Sequence, residues 1–183
     1  MASDSVANRY IALLRGINVG GHRVTMERLR ELFVELGFAS VETFIASGNV
    51  IFETDERDTA ALEIRIEAHL KQALGYDVAT FLRTPNELAT ACADCPLTAE
   101  AEDSLYVTFL KAPIEDALQQ RLATLETKTD VFAFANREQY RLVHGKLTTS
   151  DIPDATLNRA MKGLSGTTRN VTTVKKLATK YQN

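Results

Sequence analysis

Three short segments hold the side chains best suited to chemistry. The first, Arg15-Gly16-Ile17-Asn18-Val19-Gly20-Gly21-His22-Arg23, places three glycines between an apolar run and a helical pattern. Glycine lets backbone N–H groups turn toward a bound group, and the helix amino terminus that follows favours negative charge, so this loop suits an anion. Its Gly16-x4-Gly21-His22-Arg23 spacing approaches a P-loop, but it lacks the lysine for the terminal phosphates and the hydroxyl that ligates magnesium. That motif is excluded. The same glycines would equally permit a plain strand-to-helix turn. The second segment, Thr167-Thr168-Arg169-Asn170, offers two hydroxyls, a guanidinium and an amide just before the last helical pattern. It reads either as a second anion site or as a helix cap supplied by Asn170 or Thr168. The third, Ser47-Gly48-Asn49, sits at a hairpin signal. Without a Gly-x-Ser-x-Gly elbow Ser47 reads as a turn residue rather than a nucleophile, and Asn49 as a neutral hydrogen-bonding group.

Charge is distributed so as to favour the anion reading. The chain has 21 basic and 24 acidic residues, which excludes a protein that is basic overall. Yet residues 9–30 carry five arginines against the single acid Glu27, and residues 155–183 carry six basic residues and no acid. Both candidate loops therefore lie in cationic stretches of an otherwise acidic protein. If the two stretches adjoin, they would focus phosphate or carboxylate ligands. Arg15, Arg23 and Arg169 would neutralise charge, while Asn18, Asn49 and Thr168 would add neutral hydrogen bonds. Lys175, Lys176 and Lys180 on the final helix fit a solvated face equally well.

Other reactive residue types form no constellation. Cys92 and Cys95 make a Cys-x-x-Cys pair without a second one, and they continue the helical stripe of Leu88 and Ala91. That spacing favours packing over zinc or redox chemistry. His22, His69 and His144 show no metal-ligand spacing, so no metal or cofactor is expected. His22 in the glycine loop is the one histidine suited to contact phosphate or to donate a proton, and Lys146 is a second possible proton donor. An enzyme acting on a phosphorylated or carboxylated metabolite is thus an alternative reading. No carboxylate pair or triad accompanies it.

The elements that must position these residues follow from periodicity. Tyr10 to Arg15 is a nearly continuous apolar run, which suits a strand buried on both faces. Met26, Leu29, Leu32, Phe33 and Leu36 recur at helical spacing between the N-cap Thr25 and the stop Gly37, with Val24 and Leu29 placed for a hydrophobic staple. Residues 41–46 and 49–53 form a hairpin turning at Ser47-Gly48. A helix over residues 58–74 and a strand over 77–83 complete a β-α-β-β-α-β unit, the ferredoxin-like order. Thr84-Pro85-Asn86-Glu87 is a capping box that opens a connector helix closed by Pro96. A strand over 105–111, a helix over 114–126 and a hairpin of 131–135 with 139–144 at Asn136-Arg137 then bring the order round again. Helices over 153–162 and 171–181 finish the chain. The expectation is an α+β protein of two α+β subdomains, the second a related but incomplete β-α-β-β-α unit. The boundaries expected are a frayed tail over 1–8, a first subdomain over 9–83, a connector over 84–103 and a second subdomain over 104–183.

Hydrophobic residues make up 45% of the chain and no apolar run reaches the ~18 residues of a membrane span, so a soluble globular fold is expected. The acidic, apolar-poor start is no secretory signal, and two cysteines make no disulfide framework, so the expected location is cytoplasmic. No membrane partner is expected, and the sequence leaves the oligomeric state open.

Arg15 to Gly21, the run Phe44-Ile45-Ala46-Ser47-Gly48-Asn49-Val50-Ile51-Phe52, and Thr167 to Asn170 followed by Thr173-Val174-Lys175-Lys176-Leu177 together resemble the bacterial family DUF1697. Lys146-Leu147-Thr148 is similar to that family's Lys-Leu-Thr element. The resemblance spans nearly the whole chain and implies a two-part α+β fold with a ferredoxin-like half, but no activity. The family usually follows Arg-Asn with tryptophan and asparagine, where this chain has Val171 and Thr172. The leading expectation is a binding protein for an anionic, phosphate-containing small molecule held by the two loops. Nucleic-acid binding is the alternative from tandem ferredoxin-like units, although the aromatic run of an RNA-reading sheet is missing, with only Tyr10 and Phe52 on the relevant strands.

Overall fold

The computed structural model describes residues 7–45 and 48–182. The chain divides into two compact units, Met1–Glu87 and Leu88–Tyr181. In the first, local signals set the elements. Strand β1 (Asn8–Arg15) leads through the glycine loop to helix α1 (Met26–Glu35), where the Thr25 side chain accepts from the Arg28 amide as an N-cap. Strands β2 (Ala39–Thr43) and β3 (Asn49–Thr54) follow. Helix α2 (Thr59–Leu74) is capped by Asp58 and closed by Gly75 in the left-handed conformation, and strand β4 (Ala79–Arg83) ends the repeat. The sheet is antiparallel in the order β2-β3-β1-β4. Tyr10, Ala12, Val50, Phe52 and Leu82 turn toward α1 and α2 in one core, while Ile11, Leu13, Ile51 and Phe81 on the other face are also buried. That is the two-sided burial the apolar first run required.

Edge strand β4 has its outward amides covered from within. Glu63 and Glu67, one turn apart on α2, accept from the Leu82 and Thr80 amides, each at 2.8 Å. These bonds replace the ladder that a further strand would have made.

Helix α3 (Pro85–Ala93) opens with the expected capping box, Glu87 N–H donating to Thr84 Oγ1 and Thr84 N–H to Glu87 Oε2. It ends before Cys95 rather than running on to Pro96. The second unit then runs through strand β5 (Ser104–Leu110), helix α4 (Asp116–Ala123), strands β6 (Asp130–Ala135) and β7 (Glu138–Val143), helix α5 (Asp154–Ala160), strand β8 (Gly166–Asn170) and helix α6 (Val171–Tyr181). Its antiparallel order, β6-β7-β5-β8, repeats that of the first sheet. The two-part α+β architecture is as expected, with one addition: β8 completes the second repeat. Gly166 to Asn170 lacks the apolar content of a strand signal. Its extended form comes from pairing along β5, to which its two β-branched threonines are suited.

One carboxylate ties the second unit's edge together. Asp130 is fully buried and its Oδ1 accepts from Arg141 Nε and Nη2 at 3.0 and 2.7 Å. Hydroxyls from Thr129 and Ser150 approach at 2.7 and 3.0 Å. Burial pushes the Asp130 carboxyl up, but the bonds from Thr129, Arg141 and Ser150 outweigh it and hold it below the usual range. A carboxyl lowered on folding stabilises the folded state above its unfolded value of about 3.9, and that contribution drains away as pH falls through the lowered value. Urea titrations should therefore show Asp130→Asn less stable than wild type at pH 7, by about 3 kcal/mol. Its stability should fall less steeply than the wild type's below pH ~4; parallel pH profiles would refute the assignment.

The hairpin after β2 packs on the glycine loop through Gly48. Leu14 N–H donates to the Gly48 carbonyl at 2.9 Å. Gly48 has φ +75°, and a Cβ there would stand 2.8 Å from Ile17 Cγ2 and 3.2 Å from Leu14 Cβ. Gly37 has φ +83° with open space around it. Gly37→Ala should thus cost only the left-handed strain, about 1–2 kcal/mol, whereas Gly48→Ala should cost a further ~1–3 kcal/mol of overpacking. Equal losses of denaturation midpoint in the two variants would contradict this packing.

Candidate functional site

The glycine loop is a built structure. Val19 to His22 close a turn, with His22 N–H donating to the Val19 carbonyl at 3.1 Å. Its central residues Gly20 and Gly21 have φ of 61° and 87°, the pair of left-handed positions that a type I′ turn demands. The Asn18 side chain bridges the loop, its Oδ1 accepting from Val24 N–H at 2.8 Å. Ile17 is buried, and its carbonyl accepts from the Tyr76 hydroxyl at 2.8 Å. The His22 ring stacks on Tyr76 at 3.9 Å between centroids with a 20° tilt. Burial raises the Tyr76 hydroxyl above its ordinary value, so it stays a donor. Tyr76 was missed in the sequence: it follows Gly75 at a helix end and belongs to no motif.

This loop walls an open cleft of about 470 Å³ lined by Asn18, Gly21, His22, Arg23, Val24 and Thr25. Arg15, Asn18, His22 and Arg23 are all exposed. Arg15 and Arg23 form no salt bridge among the described residues, unlike Arg9 with Glu53 and Arg28 with Glu31 and Glu35. At the head of α1, Thr25 takes the amides of Arg28 and Leu29. The amides of Met26 and Glu27 have no protein acceptor among the described residues, so donors and a cation share one rim. Glu27 in the same turn sets an acidic limit to that rim.

Gly48 against Ile17 brings the hairpin segment to this loop. Ser47 lies outside the described residues. Asn49 is buried and donates from Nδ2 to the Phe44 carbonyl at 3.0 Å, a bond that shapes the hairpin.

The Thr167 to Asn170 segment differs from the expected turn. As strand β8 it alternates, Thr167 and Arg169 on the buried face, Thr168 and Asn170 on the exposed one. A strand sends neighbours to opposite sides, so the four cannot surround one point. Arg169 is 8% exposed, with Nη1 donating to Thr167 Oγ1 at 2.8 Å and to the Thr168 carbonyl at 2.9 Å. Burial pushes its guanidinium down to about 10, still cationic at neutral pH. Asn170 Oδ1 accepts from Thr172 N–H at 2.8 Å, the capping role foreseen for it. Lys146 is exposed and precedes the short 3-10 turn Leu147–Thr149.

Cys92 and Cys95 are half-buried free thiols. Burial raises the Cys92 thiol and so disfavours the thiolate needed for redox or metal chemistry. Tyr10 and Phe52, the aromatics of the first sheet, sit in the helix-facing core at 4% and 0% exposure and so cannot serve as a base-stacking platform. Among the described residues no helix is long and apolar enough to cross a membrane.

No curated protein matches the chain. Among solved structures, the conserved bacterial protein SP0830 from Streptococcus pneumoniae is 21% identical, with a TM-score of 0.77 over 97% of this chain and 99% of that one. At that identity the likeness speaks to the fold alone. Residues 7–140 match the family model described as "Protein of unknown function (DUF1697)". With most of its length matched and two of the motifs that carry the resemblance packed together at Gly48 and Ile17, the chain belongs to the DUF1697 family.

Proposed function

We propose that the protein binds a small anion carrying a phosphate or carboxylate group in the cleft beside the glycine loop. The observation that supports this reading is the open rim at the head of α1, where Arg23 and His22 stand exposed without a carboxylate partner among the described residues. Asn18 has its Oδ1 committed to Val24, which leaves Nδ2 as a neutral donor toward the cleft. Stacking on Tyr76 fixes the His22 ring, so its placement costs little side-chain entropy on binding. Arg15, at the opposite end of the loop, adds long-range attraction. Because Arg169 is bonded within its own strand, the reading does not depend on it.

Calorimetric titration of inorganic phosphate into the full chain tests this. Saturable binding that weakens as salt rises is expected, with Arg23→Ala weakening it ten- to hundredfold, about the worth of one charge-assisted hydrogen bond. Arg23 is exposed, so the variant should fold as the wild type does. Phosphate binding left intact in Arg23→Ala, or no binding at low salt, would overturn the proposal.

A further inference from the structure

The helix-facing layer of the second sheet breaks a rule that the first sheet keeps. Across β4, β1 and β3 the central row of that layer is Leu82, Ala12 and Val50, all buried in an apolar core. The equivalent row across β8, β5 and β7 is Thr168, Thr108 and Gln139. In the next row Tyr106 pairs with Arg141, and Arg141 with Phe132. Thr108 and Gln139 are 5% and 2% exposed, while Thr168 on the edge strand β8 is open to solvent, so two buried polar groups occupy positions where the fold calls for apolar packing, with a third at the mouth. Buried polar groups without partners are costly, which makes such a row informative.

A cavity of about 170 Å³ lies over these residues, and Leu147, Leu157 and Met161 also line it. Its polar groups have capacity left over. The Thr108 and Thr168 hydroxyls are 2.8 Å apart, so one donates to the other and the pair keeps a hydroxyl hydrogen for a third partner. Gln139 Nε2 donates to the Tyr140 carbonyl at 2.6 Å, a bond in which Oε1 takes no part. Arg141 commits Nε and Nη2 to Asp130 and Ser150, and Nη1 to neither.

We propose that this cavity is a binding site for a small neutral molecule with an apolar ring or branched chain and one hydroxyl or amide group. Size sets the first limit: an engineered apolar cavity of about 150 Å³ accommodates benzene, so this one takes about six to nine non-hydrogen atoms. Charge sets the second. Asp130 already balances Arg141, and an anionic ligand would have to shed its water beside a buried carboxylate. Polarity sets the third, since the ligand's hydrogen-bonding end meets Thr108, Thr168 and Gln139 while its apolar end meets Leu157 and Met161. This site lies wholly in the second unit and is independent of the glycine loop.

Phenol, benzamide and benzoate, titrated separately into the ¹⁵N-labelled full chain, provide the test by NMR. Phenol and benzamide should shift the amide signals of Thr108, Gln139 and Thr168 saturably, and benzoate should bind at least tenfold more weakly. Thr168→Val keeps the side-chain shape, removes the hydroxyl, and should weaken phenol binding about tenfold. Leu157→Trp, which fills the space, should abolish it. Should Leu157→Trp not fold, Thr168→Val alone decides. Benzoate binding as tightly as phenol, shifts confined to other residues, or unchanged phenol affinity in Thr168→Val would each overturn the proposal.

Discussion

Alternation along antiparallel strands governs nearly everything in this molecule. Each residue buried beneath the helices must either be apolar or find a hydrogen-bond partner there, because water is excluded from it. The first sheet answers with Tyr10, Ala12, Val50, Phe52 and Leu82, and its core closes. The second uses Leu110 at one end of its helix-facing layer and Phe134 on its edge strand, with Thr108, Gln139 and Arg141 in the middle. The same connectivity therefore yields a packed core in one case and a polar-floored cavity in the other. The difference lies in a few side chains, not in backbone topology.

Charge follows a comparable division between closed and open. Arg9 with Glu53, Arg28 with Glu31 and Glu35, and Arg141 with Asp130 are matched inside the fold. The two surface sets contribute little to stability because water and salt screen them, whereas the buried Arg141–Asp130 pair would leave a stranded charge if either partner were removed. Arg15 and Arg23 stand apart from this pattern. Exposed and without a salt-bridge partner among the described residues, they keep their potential directed at solutes.

Much of the architecture was legible because its signals are local. Thr25, Asp58 with Gly75, and Thr84 with Glu87 mark helix ends through bonds spanning four residues or fewer, and these bonds are present. Strand β8 was not legible, because its extended form is imposed by β5, some sixty residues earlier. Arg169 illustrates the same gap: a guanidinium reads as surface, yet its place on the face of β8 opposite Thr168 buries it. The contact of His22 with Tyr76 also joins residues far apart in sequence, with no spacing to betray it. Part of the second unit's polar layer could have been read earlier. The two-residue turn at Asn136-Arg137 sets Gln139 opposite Phe134 and Arg141 opposite Phe132, so the phase of the phenylalanines already points both polar side chains inward.

The carboxylates of Glu63 and Glu67 have an effect beyond stability. By occupying the Leu82 and Thr80 amides they withhold these two donors at the margin of the first sheet from a passing extended peptide. Lateral growth of this sheet past β4 would require breaking two charge-assisted bonds first, so these two glutamates work as a guard against strand recruitment and fibrous self-association.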